Sequence, residues 1–325
     1  MSFMSVMRSP RARQEALEGY AWISLWLIGF VIFTAFPIVA SLYLSFTRYK
    51  IGSAAEWIGV SNYQEALFRD RLFWPSLVRT GYYSLFNVLL GVSGSLVLAL
   101  VLDKIARARS LYRAVYYLPS LTPAVATAIL WSWLLHPQVG LVNDMLRQIG
   151  IKGPGWLTST TWAIPAIILI SLWGSIGGGR MIIFLAGLQG VPTEFYEAAE
   201  IDGASGLSKF VRITVPLISP TIFFNMILGI IGSFNVFTIA YVATEGGPNY
   251  ATWFYMLHLY YNAFSYFQMG YACTLAWFLF LIVVTLTVIQ LTLSKRWVYY
   301  EFAEAHRWPP NPPWAKGSLC SPAAL

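Results

Sequence analysis

The stretch Pro192–Pro216, PTEFYEAAEIDGASGLSKFVRITVP, carries Glu194, Glu197, Glu200 and Asp202 in quick succession and then Lys209 and Arg212. Apolar runs long enough to cross a bilayer lie on both sides of it. Pro192 fits the first turn of a helix, where its missing N–H would have no intrahelical acceptor. Glu194 and Glu197 near that start complement the helix dipole. A spacing of three lines Glu194, Glu197 and Glu200 along one face, while Ala198 and Ala199 leave low relief for a close approach. Asp202-Gly203 reads as a stop and turn, with glycine free to take a left-handed conformation. Ser205 is placed to cap a second short helix whose Leu207, Phe210 and Val211 fall at i, i+3 and i+4. Pro216 then opens the next apolar run. The expected product is two short helices at an angle, presenting charge and an apolar knob at Phe210, a pattern suited to docking in a protein groove. The competing reading is a solvated loop whose charges only fix topology.

The rest of the chain says what this elbow is anchored in. Of 325 residues, 57% are hydrophobic and 11% charged, less than half the roughly 25% charged residues of a soluble domain. Much of the surface is therefore not built for water, and the expected fold class is an all-α integral membrane protein. Six segments reach the roughly 20 helical residues a hydrocarbon core requires: 21–46, 80–102, 114–135, 162–188, 216–244 and 270–293. Glycine and proline inside them (Pro37, Gly91, Pro119, Pro123, Pro165, Gly177, Gly178, Gly179, Gly229, Gly232) predict kinks and close helix packing. The organisation reads as an N-terminal tail 1–20, a first span with its loop 21–75, a five-helix domain 76–293 and a proline-rich C-terminal tail 294–325. Lys and Arg concentrate in both tails, in 103–113 and in 192–216, and are sparser in the alternate loops. That bias predicts both termini and the acidic elbow on the cytoplasmic side. The first apolar run is too long for a signal-peptide core and is expected to stay as a span.

Several chemistries are unsupported. No glycine-rich loop with Lys-Ser/Thr is present, since KGPGWLTSTT lacks the order and spacing. His136, His258 and His306 are far apart and read as interfacial or tail residues, so no metal site is expected. Cys273 and Cys320 make no disulfide framework, and no basic run dense enough for nucleic acid occurs. An ion-coupled secondary transporter would want acids inside the spans, and none falls within the six segments. A membrane-embedded enzyme lacks an acid/base cluster.

Arg180, in WGSIGGGRMIIFLAGL, is the clear ionisable group inside a span. Such a charge faces a cavity or a partner, snorkels, or pairs with a carbonyl freed at the glycine break. Asn225 and Asn235, with Phe234 and Phe237, have the amide and aromatic chemistry suited to lining a polar translocation path, and equally the chemistry that hydrogen-bonds helices together. The aromatic segment 252–272 reads as an interfacial belt or as a scoop for an external partner.

The quoted stretch also resembles the EAA loop of ABC-importer permeases, matching at Glu197, Ala198, Ala199, Asp202, Gly203, Ala204, Phe210, Ile213 and Pro216. WIGVSNYQEAL, YRAVYYLPSLTPAVATAILWSWLL, GLVNDML, MIIFLAGLQGVP, EGGPNYAT and KRWVYYE are similar to the maltose-transporter type of sugar permease, so the likeness covers most of 21–301. The resemblance implies the type I importer fold, with a cytoplasmic coupling helix between spans four and five. It implies a sugar-importing permease of a bacterial or archaeal cytoplasmic membrane, without its own ATPase site or cofactor. ATP and Mg would be bound by two cytoplasmic ATPase subunits, beside a homologous second permease subunit and an extracytoplasmic solute-binding protein. Arg180 departs from the family, which usually has a neutral polar residue there, and keeps a glycerol-3-phosphate or glycerophosphodiester permease as the alternative.

Overall fold

The computed structural model describes residues 10–105 and 109–299; Arg8, His306, Cys320 and the proline-rich tail lie outside the described residues. Nearly everything described is helix, because long apolar segments in hydrocarbon must satisfy every backbone group internally. Three continuous helices are long and apolar enough to span a membrane: Leu17–Ser45, Phe73–Lys104 and Met269–Ser294. Three bent pairs pass the same test when each pair is taken together: Ser110–Leu121 with Ala124–Leu134, Ala163–Ser175 with Gly179–Gln189, and Gly206–Leu217 with Ser219–Phe234. Counted as one broken span each, they bring the number to the six expected from the sequence.

The breaks have local causes. The third span turns through 93° at Thr122–Pro123, where Pro123 is extended (φ −54°, ψ 138°) and cannot donate back into the preceding turn. The fourth bends by 52° across Ile176–Gly178. There the backbone of Gly177 packs on the Tyr116 carbonyl so closely that any Cβ would overlap it. The fifth bends by 66° at Ile218, so Pro216 sits in the short helix before the bend rather than opening a straight span. The helix after the bend ends at Phe234, and Thr238–Thr244 is a separate helix. The second span begins at Phe73, a full two turns before the apolar run proper, because Asp70 caps its start: its Oδ1 accepts from the Leu72 and Phe73 N–H groups at 2.8 and 3.3 Å.

The chain divides into two compact units, Met1–Arg79 with Trp253–Ile282, and Thr80–Thr252 with Val283–Leu325. In the first, a short antiparallel ribbon pairs Thr47 with Trp57 and Arg48 with Glu56. Asn62 is buried beneath it and donates to the Ser45 and Thr47 carbonyls, both at 2.9 Å. Phe73, Tyr255 and Phe278 meet edge to face. The aromatic segment is therefore no lipid-facing belt as a whole: Trp253, Phe254, Tyr255 and Leu257 are buried, and the exposed rings are Phe264, Tyr266 and Phe267. His258 is likewise buried rather than interfacial. Its Nε2 lies 2.7 Å from Asp70 Oδ2, which also accepts from the Tyr271 hydroxyl at 2.6 Å. The Trp253 indole N–H donates to His258 Nδ1 at 3.1 Å; an indole only donates, so that nitrogen accepts and Nε2 carries the proton toward Asp70.

In the second unit, the core cluster comprises Val88, Val92, Ala99 and Leu102 of the second span, Met181, Phe184, Leu185 and Leu188 of the fourth, then Val191 and Ile218. This packing holds the second half of the fourth span and the residues flanking the elbow, Val191 and Ile218, in one body.

Candidate functional site

The elbow is built as its sequence reads, with two differences. The helix runs Glu194–Ile201, with Glu194 and Glu197 in its first turn. Pro192 therefore precedes the helix, and Thr193 occupies the capping position without a side-chain bond. At the other end Gly203 takes φ +74°. The Gly203 N–H donates to the Glu200 carbonyl at 3.0 Å and the Ala204 N–H to the Ala199 carbonyl at 2.8 Å. That pair of bonds satisfies the last carbonyls and ends the helix on a left-handed residue. Ser205 Oγ then accepts from the Ser208 N–H at 3.3 Å, opening the helix Gly206–Lys209. Lys209 Nζ reaches back to Glu200 Oε1 at 2.6 Å; this hydrogen bond and the ammonium charge lower the Glu200 carboxyl from its ordinary value. The Tyr196 hydroxyl and Thr214 Oγ1, 2.9 Å apart, fasten the first helix to the π-helical turn Phe210–Thr214.

The second difference concerns the apolar knob. Phe210 is half-buried, whereas Ile201 and Leu207 are 88% and 73% exposed, joined by Val211 and Phe195. Phe210 begins the π turn that leads into the fifth span. The exposed apolar residues flank the acid-rich face, where Glu197 and Ala198 are also exposed. A concavity of about 360 Å³ between the two short helices is lined by Ala199, Asp202, Ala204, Ser208, Lys209, Arg212 and Ile213. The elbow thus offers mixed charge, two protruding aliphatic side chains and a preformed hollow. Ile213 and Pro216 are half-buried and belong to its root.

Higher in the same unit, the Arg180 guanidinium is wedged between two glycines. A Cβ on Gly91 of the second span would overlap Nη1, and one on Gly229 of the fifth span would stand 3.3 Å from Nη2. Nη1 is buried and has no hydrogen-bond partner. Nη1 makes no bond to a carbonyl freed at the glycine break. Asn87 and Asn225 stand one helical turn from Gly91 and Gly229, on the same helix faces. Each has a buried Oδ1 without a partner, although the Asn225 amide N–H donates to the Thr221 carbonyl at 2.9 Å. Ser84 and Ser233 bond to each other across the same two spans. Asn87 was not singled out from sequence; its signal was its place four residues before Gly91.

The other path residues are not gathered there. Asn235 is exposed and donates to the Ile231 carbonyl of its own helix at 2.7 Å. Phe234 is buried at that helix's end, and Phe237 stacks on Tyr241 with centroids 5.3 Å apart. Among the described residues no group of His, Cys, Asp and Glu is placed to hold a metal ion.

Residues 91–299 match the family model for the binding-protein-dependent transport system inner membrane component. The chain is 40% identical over 304 residues to the probable ABC transporter permease protein YesP of Bacillus subtilis, covering 92% of this chain and 97% of that one. It is 32% identical over 262 residues to the sulfoquinovosyl glycerol transport system permease protein SmoG of Agrobacterium fabrum, covering 80% and 84%. Among solved structures, a chain of a bacterial alginate ABC transporter, crystallised with an alginate pentasaccharide-bound periplasmic protein, superposes with a TM-score of 0.77. It is 25% identical and is covered to 96%, against 87% of this chain. The spans, their breaks and the elbow between the fourth and fifth thus belong to a multi-pass permease subunit of an ABC importer, and the chain is a member of the binding-protein-dependent transport system inner membrane component family.

Proposed function

We propose that this permease carries a saccharide across the cytoplasmic membrane, and that the elbow Pro192–Pro216 is the part through which ATP hydrolysis drives it. The substrate class is supported by the relatives, whose names include a sulfoquinovosyl glycerol permease and an alginate transporter. In this reading both termini and the elbow face the cytoplasm, in line with the Lys/Arg bias. Two ATPase subunits bind ATP and Mg there, a homologous permease subunit completes the path, and a solute-binding protein delivers cargo from outside.

The observation that carries the reading is the elbow's construction. Its first helix is closed at Gly203 by two backbone bonds, and it holds Ile201 and Leu207 out of the body. A rigid unit with exposed aliphatic side chains and the carboxylates of Glu197 and Asp202 is suited to a cleft with a basic rim. Closure of that cleft by ATP, and of the binding protein outside, shifts the spans between inward- and outward-open states by differential affinity. Glu197 pairs with a basic group of the ATPase, Ala198 and Ala199 permit close approach, and Gly203 sets the turn.

The test is Gly203→Asp in the assembled complex. At φ +74° an Asp side chain is strained by about 1–2 kcal/mol. Stimulation of ATPase activity by loaded binding protein is expected to fall at least about tenfold while the subunits still co-purify. Full stimulation and transport in that complex would refute the coupling role.

A further inference from the structure

The second span, the fourth and the fifth enclose a charge that the chain itself does not answer. Arg180 sits between Gly91 and Gly229, its Nη1 is buried without a partner, and no ion pair of Arg180 occurs among the described residues. The acids inside the six candidate spans are Glu18 and Asp103, each next to a span's end. An uncompensated guanidinium at membrane depth costs several kcal/mol and is retained where something outside the chain offsets it. Two further polar atoms without partners lie one helical turn from the two glycines, one to either side of the guanidinium along these antiparallel spans: the buried Oδ1 atoms of Asn87 and Asn225. The set therefore has one cationic donor and two neutral acceptors. Water alone satisfies the amides but leaves the charge unanswered. A neutral sugar satisfies the acceptors through its hydroxyls and likewise leaves the charge.

We infer that the solute is an anionic saccharide, its acidic group taken by Arg180 and its hydroxyls by Asn87 and Asn225. This rests on the importer reading above and names the substrate class within it. A planar guanidinium suits a carboxylate bidentately, and a sulfonate or phosphate through two of its oxygens. The glycines are part of the site: the absence of a side chain at 91 and at 229 leaves the room that the guanidinium occupies between the two helices. Because these atoms are buried in this structure, the acid enters as the spans move apart and is enclosed as they return.

The experiment uses the complete transporter with its own partner chains in proteoliposomes. The probes are a uronic-acid disaccharide, a sugar sulfonate and a sugar phosphate, each beside its neutral parent. The intact complex is expected to take up at least one acidic member at least about tenfold better than its parent, the scale of a hydrogen bond to a charged group. Arg180→Gln removes that preference while the subunits still co-purify. Gly91→Leu, which displaces the guanidinium but keeps the charge, does the same; Arg180→Lys restores part of it. Three results overturn the inference: equal uptake of acid and parent by the intact complex, a preference that survives Arg180→Gln, or an otherwise folded Arg180→Gln chain that no longer binds the second permease subunit. The last would assign the counter-charge to that subunit. Should the variants not fold, the acid-to-parent ratio of the intact complex decides. Uptake confined to neutral sugars sinks this inference alone, whereas no ATP-driven uptake of any saccharide sinks the importer reading.

Discussion

Asp70 and Arg180 are both partly buried charges in a protein poor in charge, and the chain treats them in opposite ways. Asp70 accepts from the Leu72 and Phe73 N–H groups and the Tyr271 hydroxyl, and pairs with His258 Nε2. Burial pushes its carboxyl up, but the bonds from His258 and Tyr271 and the Leu72 N–H outweigh it and hold the carboxyl at about 2. Arg180 has a buried nitrogen with no partner. A charge fully answered by its own chain, as Asp70 is, serves the fold. One left open inside a span, as Arg180 is, costs stability unless another molecule answers it.

The comparison breaks most readily at Asp70. Asp70→Ala orphans the His258 N–H and the Tyr271 hydroxyl and removes the cap of the second span, and is expected to cost about 3–5 kcal/mol in all. Thermal unfolding of the purified chain in detergent reads this; a loss under about 1 kcal/mol would mean the network is not structural. The same carboxyl gives a pH signature. Its folded value, about 2, lies below the ordinary 3.8, so its stabilisation is fully present above 3.8 and is lost as pH falls through about 2. The stability gap between the intact chain and Asp70→Asn should therefore hold from pH 7 down to about 4 and close below it.

Arg180→Met should move the other way. Replacing an unanswered charge by an apolar side chain of similar length is expected to leave stability unchanged or to raise it by about 1–3 kcal/mol, while the acid preference is lost. A loss on the scale of Asp70→Ala would make Arg180 structural. The smallest effect is expected in the elbow: Ser205→Ala removes one exposed cap and costs about 1 kcal/mol, seen as a small drop in the same unfolding experiment.

How much of this was legible in the sequence follows from how local each feature is. The elbow's helix end depends on Asp202, Gly203 and their neighbours alone, and spacing was enough to place it. Hydropathy marked six spans but not their bends, because membrane helices tolerate Pro123 and the Gly177–Gly179 run both with and without a break. Phe210 departs from the helical-spacing expectation because its exposure depends on the π turn that carries it into the fifth span; spacing makes it a companion of Leu207, and the structure exposes Leu207 and Ile201 instead. His258 and Asp70 are 188 residues apart, and nothing in either neighbourhood announces the other. The Arg180 seat is intermediate: the arginine stood out as a departure from the family, but that Gly91 and Gly229 form its walls required the packing of three spans.

The account turns on the elbow seating in a nucleotide-hydrolysing neighbour. Ala198→Cys, at an exposed position on the low-relief face, placed in a cysteine-free chain within an active complex, measures this directly. A short thiol crosslinker should join it to the ATPase subunit, with a yield that changes between the nucleotide-free and ATP-bound states. A transport-competent complex in which residue 198 reaches no ATPase subunit in either state would contradict it.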